Sequence, residues 1–376
     1  MRPPAQIREL PPGASLKAFI DVAWRINSGD PCWVPPLRLS LRTLLDRRKH
    51  PFHQHADVAY FLAERAGKGV GRIAAVVNRL HNEFHEERTG FFGLFESEHD
   101  PRTARALVEA AASWLRGHEM ERMRGPVNLS TNEEASSPGV LVDGFGTPPA
   151  IQMTHNPPFY RALLEGAGLA KSKDLFAYWL DDPKPPERLL RGFERIVARE
   201  GITIRALDMK RFRAEVDIIK EIYNSAWARN WGFVPMTDAE FEHMAKEFRP
   251  VVDPELCLIA EVRGEPVGFS LALPDLNQAI RKIPNGRLLP FGIFRLLWEK
   301  RRISGFRVIT LGFRPGFQHH GLGAALYLRT WQTGAAKGYR YGEASWILED
   351  NWEMRRPLEK MNFLAYKTYR IFERPL

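Results

Sequence analysis

The sequence predicts a mixed α/β protein made of two similar halves, each a mixed, largely antiparallel sheet flanked by helices. Two observations carry this prediction: a proline-rich break near the middle of the 376 residues, and three short segments that recur in the same order on both sides of it. The length also favours two domains, since one domain per roughly 100–200 residues is usual. We expect domains at residues 1–182 and 201–376, with a linker and connecting helix at 183–200.

The break is Asp181-Asp182-Pro183-Lys184-Pro185-Pro186, whose three prolines within four residues exclude a helix or a central strand. A helical pattern follows over Glu187–Glu200 and ends before Gly201, a residue typical of a helix C-terminus. This helix connects the two halves.

The recurring segments predict matching elements. Ala63-Glu64-Arg65-Ala66-Gly67-Lys68-Gly69-Val70-Gly71 matches Ala260-Glu261-Val262-Arg263-Gly264-Glu265-Pro266-Val267-Gly268, and each pattern is typical of two strands joined by a tight glycine-bearing turn. Further along, Gly93-Leu94-Phe95-Glu96 aligns with Gly312-Phe313-Arg314-Pro315, at the end of an apolar strand that leads into a helix. Leu164-Glu165-Gly166-Ala167-Gly168-Leu169 resembles Leu358-Glu359-Lys360-Met361-Asn362-Phe363. We infer an internal duplication.

One helix of each half has clear boundaries. Asp100 followed by Pro101 is typical of a helix start, and apolar residues then recur on one helical face. These residues are Ala104, Leu107, Val108, Ala111 and Leu115. The counterpart in the second half spans residues 321–337 and ends at Gly338.

The offset between matching segments grows from 197 to 219 residues, which indicates an insert at about residues 275–304 of the second half. Residues 287–302 of this insert are basic and aromatic. Peripheral contact with a membrane surface, a cover over a substrate pocket, and a helical excursion packed on its own domain all remain open.

Composition narrows the class of protein. Hydrophobic residues make up 44% and charged residues 26%, as in ordinary globular proteins, so wholesale disorder is excluded. The formal charge of +9 suits nucleic acid, an anionic membrane or a polyanionic small molecule. Cys32 and Cys257 are too few for a disulfide scaffold or a cysteine zinc cluster. Without an apolar run of about 20 residues or a signal-like N-terminus, we expect a cytoplasmic protein.

The sharpest motif is Gln318-His319-His320-Gly321-Leu322-Gly323, between the predicted strand at 307–313 and a helix. Glycine lets the backbone approach a ligand closely, and the unpaired amides at a helix N-terminus attract an anion such as pyrophosphate. No Lys-Ser or Lys-Thr follows, so this is not a Walker loop.

Gln-x-x-Gly-x-Gly in this context resembles the coenzyme A loop of the GNAT acetyltransferase superfamily, and the whole chain is similar to tandem-GNAT bacterial proteins. The resemblance implies an N-acyltransferase that takes acetyl-coenzyme A or another acyl-coenzyme A and acts on a small-molecule or peptide amine. The cofactor-binding positions it implies are Leu311, Gly312, Phe313, Gln318, His319, His320, Gly321, Leu322, Gly323, Ala324 and Asn351.

The first half departs from this pattern. His99, Arg102 and Ala104 stand where Gln318, Gly321 and Gly323 stand in the second half. Because the long side chain of Arg102 replaces a glycine, we expect a degenerate first domain and one active site per chain.

Catalysis requires a base, because a protonated amine cannot attack a thioester. Glu349 and Asp350 are candidates, with Glu343 as an alternative. A strand amide near residues 311–313 would stabilise the tetrahedral intermediate.

The acid that protonates the thiolate is harder to assign. In GNAT enzymes it is commonly a tyrosine at the position aligned with Leu358, which cannot donate a proton. The thiolate either leaves unassisted, or Tyr366 substitutes, with Tyr369 on the opposite strand face.

Acceptor binding is predicted at Asn230 and Trp231, in the first helical region of the second domain, although a Trp-rich helix can equally bury its apolar face in the core.

Two other functions remain open: an aminoacyl-tRNA-dependent transferase of the Fem type and a non-catalytic acyl-coenzyme A sensor. Nucleic acid is disfavoured by the pyrophosphate loop, and His81 and His85 lack the third ligand of a metal site.

Overall fold

The computed structural model describes residues 3–130, 138–181, 187–227, 230–317 and 322–376. The chain divides into two compact units. Unit 1 consists of Met1–Leu175, Ala279–Glu299 and Lys367–Leu376, and unit 2 of Phe176–Gln278 and Lys300–Tyr366.

The strands are assigned as follows: β1 (Gln6–Leu10), β2 (Ala56–Arg65), β3 (Lys68–Asn78), β4 (Thr89–Ser97), β5 (Arg122–Gly125), β6 (Val140–Asp143), β7 (Ala170–Leu180), β8 (Ile202–Ala206), β9 (Cys257–Val262), β10 (Glu265–Pro274), β11 (Gly305–Phe313), β12 (Tyr341–Leu348) and β13 (Leu364–Pro375). The α-helices are α1 (Lys17–Asn27), α2 (Arg38–Leu45), α3 (Arg79–His85), α4 (Pro101–Gly117), α5 (Tyr160–Gly166), α6 (Glu187–Glu200), α7 (Phe212–Ala226), α8 (Asp238–Phe248), α9 (Asn277–Ile280), α10 (Gly292–Lys300), α11 (Leu322–Ala336) and α12 (Trp352–Lys360). Short 3-10 turns lie at Pro51–Gln54, Met209–Arg211 and Pro254–Leu256.

The sheet of unit 1 has the strand order β1-β2-β3-β4-β5-β13, with β6 also paired to β13. Its neighbours are antiparallel except for β4 and β5, which are parallel. Strand alternation sends Ala59 and Phe61 of β2 into a core with α4, while Val58 and Tyr60 enter a second core with α1 and α2. Both faces are therefore covered by helices.

The predicted helix start of unit 1 is confirmed. Asp100 caps α4 by accepting a hydrogen bond from the Arg102 amide, and Pro101 is the first helical residue. The five apolar residues predicted for its inner face are all fully buried.

The sheet of unit 2 runs β12-β11-β10-β9-β8, again antiparallel except for one parallel pair, β11 with β12. Leu258 and Ala260 of β9 face the core formed with α11, and Cys257 and Ile259 face the core formed with α7. The mixed, largely antiparallel sheets that the sequence predicts are confirmed.

Both predicted hairpins form with two-residue turns. Ala66 and Gly67 join β2 to β3, and Arg263 and Gly264 join β9 to β10, all four with positive φ. Two successive residues with positive φ are typical of the two-residue hairpin turn whose twist matches that of the strands it joins.

The compact units are not the continuous halves, 1–182 and 201–376, that the sequence predicts. The last residues of β13 pair with β5, from Phe372↔Gly125 to Pro375↔Arg122, and so belong to unit 1. Most of the insert predicted at 275–304 also belongs to unit 1, where the Arg38 amide donates to the Gly286 carbonyl at 2.9 Å. Of the predicted linker, residues 182–186 lie outside the described residues; α6 has the predicted bounds, Glu187–Glu200.

Candidate functional site

Strands β11 and β12 part within unit 2. Their parallel pairing, among the described residues, runs from Gly305↔Tyr341 to Val308↔Ala344. At the same level, the pairing of β11 with β10 shifts: Ala272 lies opposite Val308 and Leu271 opposite Thr310, which leaves Ile309 as a bulge. We call the opening beyond Val308 and Ala344 the wedge.

On the β11 side of the wedge, Leu311 and Phe313 are buried in the core with α11. Gly312 has a packing role, because a Cβ there would lie 2.1 Å from the Trp227 ring. All three positions were predicted to bind the cofactor, and that role stays a prediction.

Helix α11 begins directly after β11 and the predicted pyrophosphate loop. Gln318, His319, His320 and Gly321 lie outside the described residues.

Of the remaining loop positions, Leu322 is buried and Ala324 half-buried. A Cβ on Gly323 would meet Phe313 at 3.7 Å, an ordinary contact, so packing alone does not require glycine there.

Unit 1 fills the equivalent opening with its own chain. The pairing of β4 with β5 runs from Thr89↔Arg122 to Phe91↔Arg124. Beyond it, the Val127 amide donates to the Phe92 carbonyl at 2.9 Å, and the Asn128 side chain accepts from the Leu94 amide at 2.8 Å. The Leu94 amide of β4, which lies beyond the residues paired with β5, is therefore already hydrogen-bonded within the chain.

The N-terminus of α4 in unit 1 already holds an anion, the carboxylate of Asp100. It accepts hydrogen bonds from Arg65 at 2.9 Å, from the Thr103 hydroxyl at 3.0 Å and from the Arg102 amide at 3.2 Å. Burial opposes its ionisation, but the hydrogen bonds from Thr103 and Arg102 hold the pKa of Asp100 below its ordinary value. A pyrophosphate at this helix end would meet a fixed negative charge.

A buried polar cluster lies at the base of the wedge in unit 2. Glu343 is only 1% exposed and accepts hydrogen bonds from the hydroxyls of Ser345 and Tyr366. The Arg307 Nε lies 3.7 Å from the Glu343 carboxylate and donates to the Ser345 hydroxyl at 2.8 Å. Arg307 and Glu343 are directly opposite in the register, one pair before the strands part.

An aromatic wall flanks this cluster. Trp179 of β7 stacks on Tyr341 with ring centroids 4.1 Å apart, and the Tyr366 ring lies 5.2 Å from the same indole. The Tyr341 hydroxyl donates to Asp275 at 2.8 Å and accepts from Gln278. Burial, followed by the charge of Asp275, raises the pKa of Tyr341 far above its ordinary value, so Tyr341 stays protonated.

The predicted catalytic residues are Glu349 and Tyr366, and their roles stay predictions. Tyr366 contacts Glu343, the alternative base, which precedes Glu349 by six residues, or about 20 Å of extended strand. Glu349 is half-buried just after β12, and its carbonyl accepts from Arg355 at 2.6 Å.

The other predicted positions have local structural contacts. Asn351 caps α12 by accepting from the Met354 amide at 3.2 Å. Asn230 and Trp231 follow α7, where the Asn230 amide donates to the Trp227 carbonyl at 2.8 Å. Their predicted roles in binding coenzyme A and the acceptor stay predictions.

Sequence reasoning missed Arg307, Ser345 and Trp179. One signal was present: Tyr341, Glu343 and Ser345 alternate with Gly342 and Ala344, which indicates a strand with a polar face. Nothing local joins that face to β7 or to Tyr366.

No metal site or membrane span is found in the part of the chain that the structure describes. It contains no group of three or more His, Cys, Asp or Glu side chains arranged to hold a metal ion. Among the same residues, no helix is both long and apolar enough to cross a bilayer.

Solved structures share this fold. A tandem GNAT protein from the clavulanic acid biosynthesis pathway matches with a TM-score of 0.57 and 12% identity, over 99% of this chain and 98% of that protein. A GCN5-related N-acetyltransferase from Sphaerobacter thermophilus matches with a TM-score of 0.53 and 14% identity, over 100% and 97% of the two chains. These matches confirm the predicted tandem GNAT fold.

Two relatives match at the level of sequence, whereas no family model matches. The chain is 39% identical over 373 residues to the bacterial ceramide synthase of Caulobacter vibrioides (strain NA1000 / CB15N), covering 96% of this chain and 95% of that protein. It is 36% identical over 370 residues to protein YghO of Escherichia coli (strain K12), covering 96% and 93%. With this fold and this identity over nearly its whole length, the chain belongs to the family of the bacterial ceramide synthase and protein YghO.

Proposed function

We propose that this protein is an N-acyltransferase that moves a fatty acyl group from coenzyme A to the amine of a long-chain amino alcohol. The observation that carries acyl transfer is the wedge of unit 2, which opens beside a buried carboxylate and a tyrosine, whereas unit 1 fills its own opening. The acceptor class is supported by the 39% identity to a ceramide synthase, since a ceramide is the amide of a fatty acid and a long-chain amino alcohol.

The donor is assigned to the wedge. The pantetheine arm of coenzyme A carries amides that can pair with the edge of β11 beyond Val308, and the pyrophosphate is assigned to the loop 318–323 at the start of α11. The unpaired amides and dipole of a helix N-terminus favour an anion there. In the equivalent place of unit 1 the Asp100 carboxylate disfavours one.

Proton transfer is assigned to Glu343 and Tyr366. The acceptor ammonium gives a proton to the Tyr366 oxygen while the Tyr366 hydroxyl proton passes to Glu343, which leaves a neutral amine. The amine nitrogen then forms a bond to the thioester carbonyl carbon, the C–S bond breaks, and the sulfur keeps its electron pair. The two proton transfers then run in reverse: Glu343 returns a proton to Tyr366, and the Tyr366 hydroxyl protonates the thiolate. The second proton of the amine leaves to water.

Two further features fit this chemistry. We assign stabilisation of the tetrahedral intermediate to backbone amides at the bulge of β11, because a preorganised donor stabilises developing negative charge. The Trp179 and Tyr341 rings form an apolar wall beside Tyr366 that suits an alkyl chain. Glu349 remains the second candidate for the base.

The test uses the purified full-length protein with acetyl- and palmitoyl-coenzyme A. Each is paired with a saturated long-chain 2-amino-1,3-diol, with ethanolamine, or with a lysine peptide. We expect thiol release and an amide product, detected by mass spectrometry, with the long-chain acceptor and palmitoyl-coenzyme A.

Three results would contradict the proposal. Turnover only with ethanolamine or the peptide would reject the long-chain acceptor. Amide formation only with aminoacyl-tRNA would support the Fem-type function instead. Tight binding of acyl-coenzyme A without turnover on any acceptor would indicate a sensor.

A further inference from the structure

The insert carries a concentrated exposed apolar surface. Nine large hydrophobic side chains of the described residues are exposed, and five of these lie within ten residues of the insert. They are Leu289 (78% exposed), Phe291 (80%), Phe294 (69%), Leu297 (56%) and Trp298 (57%), and we call them the apolar face. Single exposed hydrophobic residues are ordinary, whereas a contiguous group marks a surface that binds something.

The geometry of α10 makes this group one surface. Phe294, Leu297 and Trp298 have the spacing i, i+3 and i+4, which places them on the same side of the helix. The turn before it is closed by a hydrogen bond of 2.7 Å from the Ile293 amide to the Leu288 carbonyl, which fixes the approach of Leu289 and Phe291 to the helix.

The base of the insert is held firmly within unit 1. The Trp24 indole donates to the Pro284 carbonyl at 2.8 Å, and the Arg38 side chain donates to the Asn285 carbonyl at 2.8 Å. Gly286 has φ of +64°, and a Cβ there would lie 2.5 Å from the Trp24 ring. The apolar face is therefore presented by an anchored element, which lowers the entropy lost when it binds a partner.

Charge indicates the kind of partner. Arg281, Lys282, Arg287 and Arg295 are exposed around the apolar face, and Glu299 is the one acidic residue between 281 and 299. The sequence continues with Lys300-Arg301-Arg302. Basic residues are attracted to the surface of an anionic bilayer, and Phe, Leu and Trp side chains insert at the headgroup boundary.

We infer that the apolar face of the insert docks on an anionic lipid bilayer, with the surrounding basic residues on its phospholipid headgroups. A second copy of the chain is a poorer occupant, because a symmetric contact through this face would bring like charges together. The inference rests on this surface and not on the proposed acyl transfer.

The experiment is co-sedimentation of the full-length protein with vesicles of phosphatidylglycerol and phosphatidylcholine in equal parts, and with vesicles of phosphatidylcholine alone. We expect binding to the anionic vesicles that weakens with salt. The double variant Phe291→Ser/Phe294→Ser should bind at least tenfold more weakly, and Arg295→Glu should lose most of its preference for anionic vesicles. Leu39→Ser is the matched control, since Leu39 is 62% exposed on α2 of the same unit.

Three outcomes would overturn the inference. The first is that the wild-type protein does not bind anionic vesicles. The second is that the double variant, with an unchanged circular dichroism spectrum, binds as well as the wild type. The third is a wild-type dimer in sedimentation that the double variant converts to a monomer. The vesicles contain neither acyl donor nor acceptor, so a failure of the proposed enzymatic function leaves this test unaffected.

Discussion

At the scale of single residues, the site depends on a buried charge pair and one tyrosine. Glu343 has Arg307 near its carboxylate and receives the Tyr366 hydroxyl proton in a hydrogen bond. Removing one member of a buried pair typically costs 3–5 kcal/mol, so a truncation of Glu343 would confuse folding with catalysis. Conservative substitutions are the informative ones.

Tyr366→Phe removes one hydroxyl and keeps the ring beside Trp179. We expect turnover to fall at least tenfold with little change in the affinity for coenzyme A, as for a group that acts only in the transition state. Steady-state rates with the acceptor that turns over, together with calorimetry of coenzyme A binding, measure both effects.

Tyr369→Phe is the control, because Tyr369 is fully buried within unit 1. If Tyr366→Phe turns over like the wild type, Tyr366 is not the proton-transfer group.

Glu343→Gln and Glu349→Gln separate the two candidate bases. We expect Glu343→Gln to lower kcat/KM at least a hundredfold at neutral pH. The loss should shrink as the pH approaches the pKa of the free amine, because a neutral amine no longer needs a base. Glu349→Gln should have a small effect at every pH. A large, pH-dependent loss in Glu349→Gln with a small loss in Glu343→Gln would instead assign the base to Glu349. Thermal unfolding checks that both variants fold.

At the scale of elements, the two helices that follow β4 and β11 begin after different sequences. Asp100 caps α4 with its own carboxylate, whereas α11 follows a glycine-bearing loop. A carboxylate introduced at α11 would reproduce the situation in unit 1.

Gly323→Glu should abolish coenzyme A binding while the protein stays folded. The new carboxylate would repel the pyrophosphate, and the nearest atom to its Cβ is an ordinary contact away. Gly323→Ala, the matched control, should keep affinity within a few-fold. Calorimetry measures both, and retained binding in Gly323→Glu would move the pyrophosphate away from α11.

Helix α3 carries an acid-sensitive residue. Burial, and then the neighbouring His85, lower the pKa of His81 to about 4, against about 6.5 in an unfolded chain. Between these values the unfolded state binds more protons, so the free energy of unfolding falls as the pH drops from about 6.5 to 4.

Substitution of His81 tests this pH dependence. His81→Gln should flatten the decline of unfolding free energy between pH 7 and pH 5 in urea titrations. An equally steep decline in the variant would assign the acid sensitivity to other groups.

Local patterns explain which elements could be predicted from the sequence. The bounds of α6, the cap of α4 and both hairpin turns depend on neighbouring residues, and the structure confirms them. The cluster at the wedge joins β7, β11, β12 and β13 across long stretches of chain. No local pattern records such pairings, so Trp179 and Arg307 could not be found beforehand.

At the scale of the whole molecule, the two units differ where their parallel strand pairs end. In unit 1 the chain supplies its own partner to the Leu94 amide and its own anion to α4. In unit 2 the strands part beside Glu343 and Tyr366. From the two loops the sequence predicts one coenzyme A site, in the second half, and this stays a prediction. That the last strand and most of the insert belong to unit 1 could not be predicted, because both depend on non-local contacts.

The central claim is that each chain has one acyl-coenzyme A site, in unit 2. Calorimetric titration of the full-length protein with coenzyme A tests it most directly, with Arg102→Glu as the unit 1 variant and Gly323→Glu as the unit 2 variant. We expect one equivalent bound by the wild type, one equivalent with nearly unchanged affinity for Arg102→Glu, and none for Gly323→Glu. Two equivalents bound by the wild type, or equal losses in both variants, would contradict the claim.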